Sequence, residues 1–258
     1  MLTIKQWFCL LKYRISSLLK YPIDVVLGIV GTMLWHMPNF ILLTVVFDND
    51  VRINFSKGYL ILLYGLSVFG DGMQHTFTEA LWQFGNTFIK SARFDEILTK
   101  PASDFVQIIT SRFDIDGLGG VLWGAFCCFY GYGLIEDMTF WGVIKICIAM
   151  MCVTCFFIGI NVITSAFAFL IYDNFYITHT IFELHKFARF PRQIYPRLLG
   201  MLLTFVIPVF AATFCPANIL ISNSFIALLG FLMVGICFLF FSVKIWNLFS
   251  KFYISAGS

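Results

Sequence analysis

Residues 140–172 carry one charge, Lys145, and are otherwise almost wholly apolar. A membrane-spanning helix needs about 20 such residues, because each unpaired backbone group in hydrocarbon costs several kcal/mol. The rest of the chain follows suit. Of its 258 residues 60% are apolar and 12% charged, with a mean hydropathy of +0.88. A soluble domain carries about 25% charge, so this chain has too little polar surface to cover a globule in water. The same figures exclude a disordered chain, a coiled coil and a secreted disulfide scaffold. Lipid is the expected solvent, and the fold class is all-α.

Six segments read as spans: 22–47, 58–81, 113–135, 140–172, 198–214 and 224–249. The fifth is kinked at Pro208 and expected to stop at Cys215-Pro216. The short apolar stretch 216–221 then reads as a helix dipping into the outer leaflet between spans five and six, or more plainly as a hydrophobic loop. Thirteen Lys and Arg fall in one set of connections: Lys5, Lys12, Arg14 and Lys20; Lys90, Arg93, Lys100 and Arg112; Lys186, Arg189, Arg192 and Arg197; and Lys251. The alternate connections hold only Arg52 and Lys57. Lys145 and Lys244 lie near span ends, close enough to snorkel. This bias places both termini in the cytoplasm. Residues 1–21 lack the uninterrupted apolar core and cleavage site of a signal peptide. They suit an interfacial helix or a plain basic flank equally well.

The net charge of +3 is too balanced for a nucleic-acid partner. The eight cysteines lie mostly inside apolar runs and read as small hydrophobes. Cys152-x-x-Cys155 lacks the second pair or the histidine that a zinc site needs. No phosphate-binding loop, dinucleotide fingerprint, H-E-x-x-H zinc motif or G-x-S-x-G elbow is present. The chain is not expected to act as an enzyme, bind a cofactor or hold a metal, and any energy source must lie elsewhere.

One polar constellation falls inside a span. Asp71, His75 and Glu79 recur on successive turns, with Gln74 and Thr78 beside them. Ionisable groups at that depth are costly unless they face water or protein, so this stripe is expected to line a translocation path or a subunit interface. A rim position for Glu79 and a helix–helix hydrogen bond for His75 are the plainer reading. As metal ligands the three would converge poorly from one helix. Gly117, Gly120, Gly124 and Gly131 mark one side of span three as a close-packing seam. In the connection 83–112, Arg93, Asp95, Glu96 and Lys100 surround Phe94, Ile97 and Leu98. That pattern reads as a short amphipathic helix, ended by Pro101, whose apolar side is available for docking. A helix lying on the membrane is the alternative.

Several stretches resemble a bacterial ABC-2-type permease family of six-span proteins. They are Phe94-Asp95-Glu96-Ile97-Leu98-Thr99-Lys100-Pro101, Phe187-Ala188-Arg189-Phe190-Pro191 with Ile194-Tyr195, Phe205-Val206-Ile207-Pro208 followed by Pro216-Ala217, and Tyr253-Ile254-Ser255-Ala256-Gly257-Ser258. The resemblance covers nearly the whole chain, in order, as one domain. Ala92 stands where the family usually has Gly, and Lys100 where it usually has Arg.

The resemblance implies the permease subunit of an ATP-driven transporter, usually an exporter, in a bacterial plasma membrane. It further implies a cytoplasmic ATPase dimer, which would hold ATP and Mg, and a second permease, related or identical. The interfacial helix would precede span one, and residues 93–101 would couple to the ATPase. Two other classes compete: an integral-membrane enzyme using the Asp71/His75/Glu79 face, and a non-transporting sensor or immunity subunit.

Overall fold

The computed structural model describes residues 20–49, 55–100 and 103–255. Nearly all of the expected interfacial segment 1–21 lies outside these residues, as do Arg52, Pro101 and residues 256–258. The described residues are mostly helical, with no strand among them.

The helices begin with α1, Pro22–Asn49, and α2, Lys57–Trp82. The short α3 (Arg93–Leu98) and α4 (Asp104–Ser111) lead into α5, Gly117–Gly133. The long α6 (Phe140–Ala166) is extended by one turn, α7 (Ala168–Ile171), before α8, Phe175–His185. Three more follow: α9, Arg197–Met201; α10, Val209–Ile221; and α11, Phe225–Phe249. Side-chain caps start three of the long helices. Ser56, Thr139 and Ser224 accept from the backbone N–H three residues on, at Tyr59, Gly142 and Ala227, each satisfying a donor the helix cannot.

Among the described residues three helices are long and apolar enough to cross a membrane: Pro22–Val45, Phe140–Ile171 and Phe225–Phe252. Among the expected spans, α2 is diluted by its own polar stripe and α5 has only 17 residues. Burial explains how α2 carries that stripe. It is the central helix, packed between α5 and α6, and Leu60 through Leu63 are almost fully buried. The α2–α5 contact is backbone on backbone. A Cβ built on Gly65 would lie 2.6 Å from the Cys128 nitrogen, and one on Gly124 2.4 Å from that of Phe69. Only glycine allows such an approach, and the dispersion gained there substitutes for the hydrophobic effect that lipid does not supply. By contrast α1 exposes Ile23, Leu27, Leu34 and Ile41, and α11 exposes Ile226, Met233 and Phe240. These faces need an apolar solvent.

The fifth expected segment is corrected. Arg197–Val206 and Val209–Ile221 meet at a 91° bend at Ile207-Pro208, a broken span or a re-entrant loop. The helix does not stop at Cys215-Pro216. Pro216 lies inside α10, so residues 216–221 are the second half of that helix and not a separate dipping segment. Proline removes one N–H from the ladder. In a packed helix that single loss is absorbed, whereas Pro208, at the N-cap with an extended Ile207 before it, begins a new helix direction.

Candidate functional site

The polar stripe of α2 divides into three groups. Asp71 turns toward the segment after α8. An Arg189 guanidinium nitrogen donates to its Oδ2 at 3.3 Å, and His185 Nδ1 lies 3.5 Å from Oδ1. Asp71, His185 and Arg189 are all buried, and His185 stacks on Phe157 of α6 with ring centroids 4.4 Å apart. Here the charge count along the chain misleads: Arg189 is not a loop cation. Helix α8 folds back along α2 and α6, carrying Lys186–Arg189 into the bundle.

One turn on, His75 faces two carboxylates. Nδ1 lies 3.4 Å from Asp114 Oδ2, and Nε2 lies 3.5 Å from Glu79 Oε2. Arg112 approaches the other Glu79 oxygen at 3.7 Å. Ligand atoms of His75, Glu79 and Asp114 come within 4.8 Å of one another, so among the described residues these three are the ones able to hold a cation. Asp71 is not among them, and the third ligand, Asp114, comes from outside α2. Opposing this, the imidazole divides its nitrogens between two acids and Arg112 already neutralises one of them. The arrangement is that of a charge network. The Asp71/His75/Glu79 set weighed for acid–base chemistry does not converge on one point.

Gln74 and Thr78 belong to a third arrangement. At Thr78 the backbone leaves helical geometry (φ −124°, ψ 21°), kinking α2. The freed groups find partners on neighbouring elements. Thr78 Oγ1 donates to the Gln74 carbonyl at 2.6 Å and accepts from Asn161 Nδ2 at 2.8 Å. The Leu81 carbonyl accepts from Ser165 Oγ at 2.9 Å and Asn174 Nδ2 at 3.1 Å. Side chains that replace ladder bonds let a break persist at membrane depth. Between α1, α2, α5 and α8 lies a cavity of about 300 Å³, lined by Trp35, His36, Asp71, His75, Lys186 and Arg189.

The segment expected to dock by its apolar side is corrected as well. Phe94 is fully buried and Ile97 7% exposed. The Phe94 ring lies edge-on against Phe84, Phe169 and Tyr253, with centroids 4.7–5.9 Å apart, in a second core that also holds Trp246. These residues anchor α3 to its own chain, and an amphipathic pattern does not by itself say which core the apolar side fills. Arg93, Glu96, Leu98 and Lys100 are exposed. Asp95 is half-buried and accepts from Ser255 Oγ at 2.6 Å, which ties the C-terminal tail to α3. Just before α3, Lys90 donates to Asp173 at 2.7 Å. That hydrogen bond, helped by the Phe175 N–H, holds the Asp173 carboxyl below the usual range.

Sequence reasoning missed the roles of Arg189, His185, Asp114 and Asn161. A signal for Arg189 was present, since it sits between apolar residues in Phe187–Pro191 and so was poorly placed for a solvated loop. Asp114 and Asn161 gave none, because their partners are 39 and 83 residues away along the chain.

Apolar outward helices around buried charge networks define a membrane-embedded helical protein. The chain belongs to a family of ABC-2 transporter membrane proteins: the family described as ABC-2 family transporter protein matches it over residues 33–257. It is therefore a transport permease of the ABC class, a family generally non-catalytic that works with an ABC ATPase subunit. No curated protein and no solved structure matches the chain.

Proposed function

We propose that the chain, as one permease domain over 1–258, is the membrane subunit of an ATP-driven exporter in a bacterial plasma membrane. It crosses six times, with α2, α5 and the bent α9–α10 unit completing the three apolar spans, and both termini face the cytoplasm. Its partners are an ATPase dimer and a second permease, either a related chain or a copy of this one. The chain binds no cofactor; ATP and Mg belong to the ATPase. Export is the direction that resemblance to the family implies.

The observation that carries the reading is the build of α3. An ATPase can drive a permease without phosphate chemistry only through a mechanical contact. A contact that transmits force must be fixed to the spans. Phe94 and Ile97 fix α3 to a core shared with α6, α7 and α11, leaving Arg93, Glu96, Leu98 and Lys100 outward for a partner. The kinked inner end of α2 and the cavity beside Asp71 and His75 support a path, or a permease–permease contact, near the bundle's middle.

Co-purification with the ATPase tests this. Wild type is expected to retain the ATPase, and Leu98→Glu to lose most of it while remaining folded. Retention of the ATPase by Leu98→Glu removes α3 as the coupling element. Orientation is tested by external labelling of cysteines at Ala92 and Ser222. Labelling at 222 and protection at 92 is expected, and the reverse inverts the topology.

A further inference from the structure

Where α2 ends, a cavity of about 380 Å³ opens between α2, the turn Gly85–Ile89, α3 and α4. Arg93 and Arg112 line it together with Gln83, Thr87, Ser111 and Glu79. The two arginines come from different elements, Arg93 opening α3 and Arg112 following α4. Two like charges brought to one cavity repel unless an anion lies between them. The single carboxylate in the wall does not fill that role. Glu79 is already engaged by Arg112 at 3.7 Å and by His75 at 3.5 Å. Among the described residues no carboxylate lies within ion-pair distance of Arg93. With two guanidiniums against one carboxylate, the lining is cationic.

The donor set narrows the anion. Guanidinium forks match the oxygens of a phosphate two at a time, and the Thr87 hydroxyl and the Gln83 amide add further donors, while Ser111 Oγ is spent on the Ile108 carbonyl at 2.6 Å. The cavity is larger than a bare phosphate needs, and the half-buried Phe88 ring forms an apolar part of its wall. It sits at the end of a span, at the level where lipid headgroups lie, and basic pockets there recognise anionic headgroups. We propose that this cavity binds a phosphate-bearing anion, supplied by an anionic phospholipid headgroup or by free phosphate. An anion held by both arginines would tie the first residue of α3 to the ends of α2 and α4, so its occupancy would fix the coupling segment's start. The site rests on the inward orientation proposed above, but its test needs no ATPase.

The experiment uses the purified full chain in neutral detergent, without ATPase, at fixed salt. Short-chain phosphatidylglycerol, short-chain phosphatidylcholine and inorganic phosphate are titrated separately, with the thermal unfolding midpoint as readout. Wild type should be stabilised saturably by phosphatidylglycerol and not by phosphatidylcholine if the source is a lipid, or by inorganic phosphate alone if it is not. Arg93→Gln/Arg112→Gln should weaken the apparent Kd at least tenfold, and Lys244→Gln, an exposed cation outside the cavity, should leave it unchanged. If the double glutamine variant fails to fold, Arg93→Lys/Arg112→Lys keeps the charges and removes the forks, and it should weaken binding several-fold. Equal affinity in wild type and the double variants, or no saturable response to any of the three ligands, overturns the site. Failure of ATPase co-purification alone leaves this result standing and strikes only the coupling reading.

Discussion

Arg189 holds a guanidinium nitrogen 3.3 Å from the Asp71 carboxylate across 118 residues of chain, with neither side chain more than 7% exposed. A buried charge is tolerated when it is paired, and removing one partner leaves the other without water or counter-charge, a loss of about 3–5 kcal/mol. Asp71→Asn and Arg189→Gln should each destabilise the folded permease by about that amount. The double variant should cost much less than the sum, because neither charge is then stranded. Thermal unfolding of the four proteins in one detergent gives the cycle. Strictly additive losses would mean the two side chains do not interact.

Gly124 in the α2–α5 seam and Gly31 on α1 should respond oppositely to an added methyl. At Gly124 an added methyl meets the Phe69 backbone at 2.4 Å and the helices must part, so Gly124→Ala should cost about 1–3 kcal/mol, as overpacking does. At Gly31 on α1 nothing among the described residues lies within 4 Å of an added Cβ. There Gly31→Ala should stabilise by up to about 1 kcal/mol through helix propensity alone. Unfolding midpoints measured side by side decide it, and a loss at both positions would show that α1 packs on something at Gly31.

Phe94 and Leu98 separate folding from partnership. Removing a fully buried phenylalanine from a core costs about 3–5 kcal/mol, so Phe94→Ala should lower the stability of the permease alone, before any ATPase is present. Leu98 is 55% exposed, and Leu98→Ala should leave stability within about 0.5 kcal/mol of wild type. Unfolding of the isolated permease checks both, and a stable Phe94→Ala would return that ring to the docking surface.

The Lys90–Asp173 bond gives a pH dependence with a definite sign. Folding lowers the Asp173 pKa, so its contribution is present above the unfolded value of about 3.9 and is lost as pH falls through the folded one. Both side chains are partly exposed, at 48% and 29%, so water and salt screen the pair and the effect is small. The stability difference between wild type and Asp173→Asn should be level from pH 6 to 8 and shrink below about pH 4. A difference that grows on acidification would contradict the pairing.

The reach of the sequence follows from range. Apolar runs and caps act within a few residues, so the helices at 22–49, 140–166 and 225–249 were legible from spacing alone. The seam glycines were legible because close approach admits few residue types. Pro208 and Pro216 look alike in sequence, and only the packing around α10 decides that one breaks a helix while the other rides inside it. The stripe on α2 was visible as a cost, but its partners were not. Asp71 is paired with Arg189 and Thr78 with Asn161, and pairings over 118 and 83 residues leave no local periodicity. Phe94 shows the remaining ambiguity, since an apolar face next to charges looks the same whether it fills a partner's groove or its own chain's core.

The residue before α3 gives the last prediction. Ala92 has φ 55° and ψ 11°, left-handed backbone that glycine adopts freely. A Cβ in that region costs about 1–2 kcal/mol, while glycine adds unfolded-state freedom worth about 0.4–1 kcal/mol. The first term exceeds the second, so Ala92→Gly should stabilise the permease by about 0.5–1 kcal/mol. Ala92→Val should destabilise it, because a β-branched side chain is worse still at positive φ. Unfolding midpoints of the three proteins order them as Gly above Ala above Val. If Val equals Ala, the chain does not hold the left-handed turn that sets the start of α3.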